Sequence, residues 1–133
     1  IGFVAWGPLG QGFLTGHITP DTRFDEANDL RATFPRFTPE ALKANFAVVD
    51  FLKGLAARKA CTPAQIALAW LLAQRPWIVP IPGATEPAHL DDNLAAADLM
   101  LSPADLTEID TAFATLDVQG APLSDGLTSM EDK

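Results

Sequence analysis

Gly2-Phe3-Val4-Ala5-Trp6-Gly7-Pro8-Leu9-Gly10-Gln11-Gly12 begins as a strand and breaks at Gly7-Pro8 into a glycine-rich loop. Trp77-Ile78-Val79-Pro80-Ile81-Pro82-Gly83-Ala84-Thr85 repeats the plan: a short apolar, β-branched run, then a Pro-Gly break. Both runs are continuously apolar rather than alternating, which suits parallel strands covered on both faces. The spacing predicts strands over Gly2–Trp6 and Trp77–Ile81. Parallel strands need a crossover between them, and helices have to supply it.

The helices are marked by one recurring start signal, a hydroxyl residue followed by proline. Thr38-Pro39, Thr62-Pro63 and Ser102-Pro103 each place a cap oxygen before a proline whose missing N–H costs nothing at the first helical position. Thr85 and Pro87 form a looser fourth case. Thr62 with Gln65 and Ser102 with Asp105 have capping-box spacing, although Asp is the weaker third-position partner. Helix one is expected over about 39–59, with Leu42, Phe46, Val49, Leu52 and Leu55 as its apolar stripe. Helix two, about 63–74, is apolar almost all round and is expected to be buried. Helix three, about 87–97, puts Leu90, Leu94 and Ala97 on one face and His89, Asp92 and Asn93 on another. Helix four, about 103–116, uses Leu106, Ile109, Phe113 and Leu116. The order strand, loop, two helices, strand, loop, two helices is a βα-repeat architecture.

Two such strands cannot cover both faces of a sheet, so the chain is expected to be a piece of a larger α/β protein or to assemble with copies of itself. It begins without an initiator Met, directly in an apolar stretch, which reads as the latter part of something longer. The chain has 133 residues, 48% of them hydrophobic and 20% charged, enough apolar content for a core. Nine Lys and Arg against seventeen Asp and Glu give a net charge of −8. That balance argues against a nucleic-acid or acidic-membrane partner. The imbalance is local: between Arg75 and Lys133 there are eleven acidic residues and no Lys or Arg. One cysteine, Cys61, excludes an internal disulfide and a cysteine-based zinc site, and fits a reducing compartment, most simply the cytoplasm. No run approaches the roughly 18 apolar residues of a membrane span.

Chemistry has two candidate addresses, both at strand ends. Gly7 to Gly16 holds four glycines in ten residues, which allows positive φ and close backbone approach to a ligand; a flexible turn is the plainer alternative. Pro82-Gly83-Ala84-Thr85 leads into a helix N-terminus, a place for an anion, with His89, Asp92 and Asn93 within reach; a capped, solvated helix is the plainer alternative. Neither loop is a dinucleotide fingerprint or a P-loop. Cys61 has no neighbouring His, so it reads as an inert thiol. Trp70 reads as core, while Trp6 sits at a strand mouth where a ligand could stack. His17 and His89 are too few for a metal site.

Taken together, these motifs resemble the aldo-keto reductase family. Val4 to Gly16 is similar to its segment around the seventh barrel strand. Asp29-Leu30-Arg31-Ala32-Thr33-Phe34-Pro35-Arg36-Phe37 is similar to the loop that follows in bacterial and plant members. Thr62 to Gln74 matches its next helix, and Ile81 to Asn93 its segment after the eighth strand. The resemblance covers residues 1 to about 117 and implies α/β architecture, the C-terminal portion of a (β/α)8 barrel, followed by an irregular tail over 118–133. It further implies a nicotinamide cofactor and a small carbonyl substrate. By position, Trp6 would stack on the nicotinamide, and Gly7, Pro8, Leu9, Gly10 and Gln11 would wrap the pyrophosphate. His17 would stand where relatives often carry a Lys, and Arg31 would clamp phosphates. Gly83, Thr85, His89, Asp92 and Asn93 would hold the adenosine end, Asp92 and Asn93 at the adenine or ribose.

Two departures qualify that implication. Glu86 follows Thr85 where NADP-preferring relatives commonly place a base, which counts towards NAD; family habit still makes NADP the expected cofactor, with NAD as the alternative. The family's catalytic Asp, Tyr, Lys and His have no counterpart here, and the chain contains no tyrosine at all. The expected role is therefore the cofactor-binding part of an NAD(P)H-dependent carbonyl reductase, inactive alone and dependent on the N-terminal half of the barrel or on self-association. The alternatives are a non-catalytic cofactor-binding or regulatory module and an inactive truncated fragment.

Overall fold

The computed structural model describes residues 1–123. Two strands, β1 (Phe3–Trp6) and β2 (Ile78–Ile81), pair in parallel with Phe3 opposite Ile78 and Trp6 opposite Ile81. Between them run α1 (Pro39–Lys59) and α2 (Pro63–Gln74); after them come α3 (Pro87–Ala95) and α4 (Pro103–Thr115). Short 3-10 turns lie at Phe13–Thr15, Leu30–Thr33, Pro35–Phe37 and Ala96–Asp98.

Three of the four expected caps form. Thr38 accepts from the Ala41 amide, and Thr62 and Ser102 each close a full capping box, with Gln65 and Asp105 bonding back to the cap amide. Thr85 does not cap α3. The helix begins at Pro87 as expected, but its N-cap is Glu86, and no side chain bonds the first amides there.

The core lies among the helices. Leu42, Val49, Leu52 and Leu55 of α1 are buried as the periodicity predicts; Ile66 of α2 packs with Leu52 and Leu55, while Leu68 is buried on the side of α2 that meets Leu9 and Ala96. Phe46 is only half-buried, while Val48 and Asn45 go inside. The second half of α2 departs from expectation: Leu71 and Trp70 are half-buried and Leu72 is exposed. Further from expectation is the apolar face of α3. Leu90 and Leu94 are 51% and 62% exposed, because nothing within the described residues packs over them; Ala96 of the following turn is buried instead. Both strands are likewise open, with Phe3, Val4, Trp6, Val79 and Ile81 all more than half exposed. The two covered faces that the strand composition calls for are not supplied by residues 1–123.

Beyond α4 the chain has no regular structure up to Leu123, yet it is anchored. Asn45, only 2% exposed, donates to the Gln119 carbonyl at 2.8 Å and accepts from its amide at 2.7 Å. Gly120 follows with φ +82°, and a Cβ there would stand 2.7 Å from the Pro35 carbonyl oxygen, so only glycine fits. Leu123 then packs on the Phe13, Phe34 and Phe37 cluster. Residues 124–133 of the expected tail lie outside the described residues.

Candidate functional site at the carboxyl edge of the strands

Parallel register settles where the two candidate loops meet. With Trp6 opposite Ile81, Gly7–Gly16 and Pro82–Glu86 leave the sheet side by side at its carboxyl edge. That edge is where open α/β sheets and barrels gather their ligand sites. Trp6 stands there 62% exposed, its ring available to a ligand.

The first loop is a set of tight turns rather than a slack connection. Gly7, Gly10, Gln11 and Gly12 all have positive φ, Gln11 without the freedom of a glycine. Gly10 N–H donates to the Gly7 carbonyl, and Gly12 and Leu14 both donate to Leu9. Leu9 is buried against Ala64, Ala67, Leu68 and Ala96, so one side chain pins the loop to α2. At Gly12, with φ +91°, a Cβ would face Arg31 Nη1 at 3.6 Å. There is room for a Cβ at that distance; it is the positive φ that favours glycine there.

Arg31 is the cation of the site, and its hydrogen bonds are already assigned. Asp29 accepts from its Nε at 3.0 Å and its Nη2 at 2.6 Å; Nη1 donates to the Gln11 carbonyl at 3.2 Å. The guanidinium also lies over the Phe24 ring, 4.6 Å from its centre. The Arg31 hydrogen bonds hold the Asp29 carboxyl below the usual carboxylate range, and Asp29 raises Arg31 in turn. Arg31 therefore bridges two loops, while its own carboxylate offsets its charge. Asp29 and Phe24 were not singled out in the sequence. The one local clue is Asp29 itself, which caps the 3-10 turn at Leu30–Thr33 by accepting from the Arg31 amide.

The second loop is open. Gly83, Ala84 and Thr85 are exposed, and no atom lies within 4 Å of where a Gly83 Cβ would be. On α3, His89 is exposed, and Asn93 Nδ2 donates to the Gly83 carbonyl at 3.5 Å. Asp92 points elsewhere: its carboxylate accepts from the Thr62 hydroxyl at 3.0 Å and from Gln65 Nε2 at 2.8 Å. Sequence position grouped Asp92 with His89 and Asn93, but the structure engages it with α2.

The remaining candidates fall as follows. His17 is exposed, and its backbone amide donates to Thr15. Burial pushes the Cys61 thiol up, with Lys59 opposing the effect and Asp92 adding to it, which disfavours the nucleophilic thiolate. Among the described residues no cluster of His, Cys, Asp or Glu could hold a metal ion, and no helix is long and apolar enough to cross a membrane. The elements thus assemble a glycine-rich cradle, an exposed indole, an arginine and an open helix start at one edge. Such a set suits an elongated anionic ligand with a flat ring at one end.

Comparisons with known proteins identify the family and the fold. Residues 1–114 match the model of the Aldo/keto reductase family. A probable aldo-keto reductase 1 from Glycine max is 40% identical over 127 residues, 96% of this chain and 36% of the relative. The aldo-keto reductase yakc of Schizosaccharomyces pombe, whose name specifies NADP(+), is 38% identical over 129 residues, 97% of this chain and 38% of the relative. Among solved structures, the glycerol dehydrogenase AKR11B4 from Gluconobacter oxydans matches with a TM-score of 0.77 and 25% identity, over 89% of this chain and 36% of that one. The chain thus spans little more than a third of the length of these relatives. Its two strands and four helices are the C-terminal portion of a (β/α)8 barrel. The chain belongs to the aldo/keto reductase family.

Proposed function

We propose that residues 1–117 are the cofactor-binding part of an NADP(H)-dependent oxidoreductase that reduces aldehydes or ketones to alcohols, with 118–133 as an irregular tail. The carrying observation is the Trp6–Ile81 register, which sets the glycine-rich loop and the Pro82–Glu86 turn on one edge. In this reading the bound nicotinamide supplies hydride to the carbonyl carbon. The residues of this chain bind and orient. Trp6 offers its ring to the nicotinamide, and the Gly7–Gln11 backbone follows the pyrophosphate. Arg31 meets phosphate with the N–H groups that Asp29 and Gln11 leave free, and His17 takes the position where relatives often carry a Lys. Gly83, Thr85, His89 and Asn93 address the adenosine end.

The proton that completes the alcohol needs a donor with a tuned pKa. No tyrosine is present, so the family's donor is not in this chain. Activity accordingly requires the N-terminal half of the barrel; self-association with a second copy would cover the open strands but bring no tyrosine. The protein works in the cytoplasm. Name-level support for NADP comes from the yeast relative. Glu86 opposes it, since a carboxylate beside a 2′-phosphate is repulsive. The test is calorimetric titration of the chain with NADP+ and NAD+. Saturable NADP+ binding, weakened tenfold or more by Arg31→Ala, is the expected result. No binding of either nucleotide would overturn the reading, and a tenfold preference for NAD+ would overturn the choice of NADP.

A further inference from the structure

Arg31 is carried by a loop with little core of its own. From Thr19 to Thr33 no residue is buried. Side-chain hydrogen bonds at its start stay local: Thr22 pairs with Thr19, Arg23 with Pro20, and Asn28 with Asp25. Two side chains tie the loop to distant parts of the fold. Arg31 donates to the Gln11 carbonyl, and Phe24 packs edge-on against Phe37 with ring centres 5.2 Å apart. The same Phe24 ring lies beneath the guanidinium, so Phe37 supports Phe24 and Phe24 supports Arg31.

Phe37 is the hub of the aromatic cluster. It is 4% exposed and also meets Phe13 and Phe34, with ring centres 6.4 and 6.3 Å away. It ends the 3-10 turn Pro35–Phe37, and the stretch that follows α4 lies against that turn. At Gly120 the approach is closest: a Cβ there would stand 2.8 Å from the Arg36 backbone as well as against the Pro35 carbonyl. Arg36 Nε donates to the Gly120 carbonyl at 3.4 Å, and Leu123 packs on the cluster itself. Asn45 pins the start of the stretch, using both halves of its amide on Gln119. Lifting the stretch would leave a buried amide without either partner, so it is held down.

We propose that Gln119–Leu123 is a brace that positions Arg31. Asn45 and Gly120 hold the brace against the Pro35–Phe37 turn, and they act on the guanidinium through Phe37 and Phe24. The coupling stands on this geometry alone; its effect on nucleotide binding rests on the function proposed above.

Proton NMR on the whole chain reads the coupling. Arg31 side-chain protons over the Phe24 ring are shifted upfield by its ring current, and Phe24→Leu supplies the unstacked reference. Asn45→Ala frees the start of the brace, and Gly120→Ala forces it off the turn. Each is expected to remove at least half of that shift while the Thr62 amide, in the α2 cap, keeps its position. Leu123→Ala trims only a half-buried side chain, so it decides the matter if the other two fail to fold; it should remove a quarter or more. Smaller losses in every variant that folds would overturn the proposal. So would a Thr62 amide that moves along with Arg31, since that is general loosening. NADP+ titration tests the consequence. Asn45→Ala and Gly120→Ala should each weaken binding fivefold or more, but less than twofold once Arg31→Ala is present. Equal loss in both backgrounds would mean that the brace acts elsewhere and would overturn the positioning of Arg31. Should the unmodified chain show no NADP+ affinity, the proposed function falls while the NMR result still decides the brace.

Discussion

The helix layer and the sheet side of this chain are built from equally apolar sequence and end in opposite states. Leu55 of α1 and Ile66 of α2 are 1% and 0% exposed, packed in one cluster. Phe3 and Val4 of β1 and Leu94 of α3, no less hydrophobic, are about 60% exposed. Extensive side-chain packing fixes the helix layer, whereas the sheet side is held by a four-residue ladder, by polar bonds from Asp92 and Arg31 and by the single buried anchor Leu9. Both candidate loops leave from the lightly held side. Sites commonly sit on such ground, where local opening costs less than global unfolding.

The comparison can be broken most forcefully from the helix side. Ile66→Ala empties a fully buried position and should cost about 2–5 kcal/mol in chemical denaturation. A loss below about 1 kcal/mol would mean that the helix layer is no tighter than the sheet. Next comes the anchor of the tail. Asn45→Ala removes both bonds to Gln119 and strands its backbone groups, at a cost of about 1–3 kcal/mol. An unchanged denaturation midpoint would show the anchor to be idle.

A smaller effect sharpens the picture through pH. Hydrogen bonds from Lys59, at 2.6 Å, and then from Ser102 lower the Asp105 carboxyl to about 2 from its ordinary 3.8. The folded state therefore favours the ionised form. That stabilisation is complete above about pH 5 and drains away as pH falls from near 4 towards 2. Melting temperatures of the unmodified chain and Asp105→Asn should converge over that window by about 3 °C. Curves that stay parallel would remove the α1–α4 clamp from the account. The smallest effect is expected at β2, where Val79→Thr on the open face should change stability by less than about 0.5 kcal/mol. A cost above about 1 kcal/mol would reveal that something already covers this strand.

Much of the scaffold was legible because its causes are local. Hydroxyl-proline pairs at 38–39, 62–63 and 102–103 mark real caps, and two unbroken apolar runs mark two parallel strands. Thr85 misleads because it stands one residue before the true N-cap. Leu90 and Leu94 mislead differently: periodicity shows that a face is apolar, not that anything covers it. The site was legible in outline, since glycines and strand ends are sequence features. Its partnerships were not. Asn45 meets Gln119 across 74 positions, and Asp92 meets Thr62 across 30.

The four-pair ladder between β1 and β2 also works as a ruler. Each strand residue advances about 3.3 Å, so a slip of two residues would carry the glycine-rich loop about 6.6 Å past the Pro82–Glu86 turn, and a slip of one would turn every side chain to the wrong face. Four rungs, from Phe3–Ile78 to Trp6–Ile81, thus gauge the spacing between the two ends of whatever spans that edge.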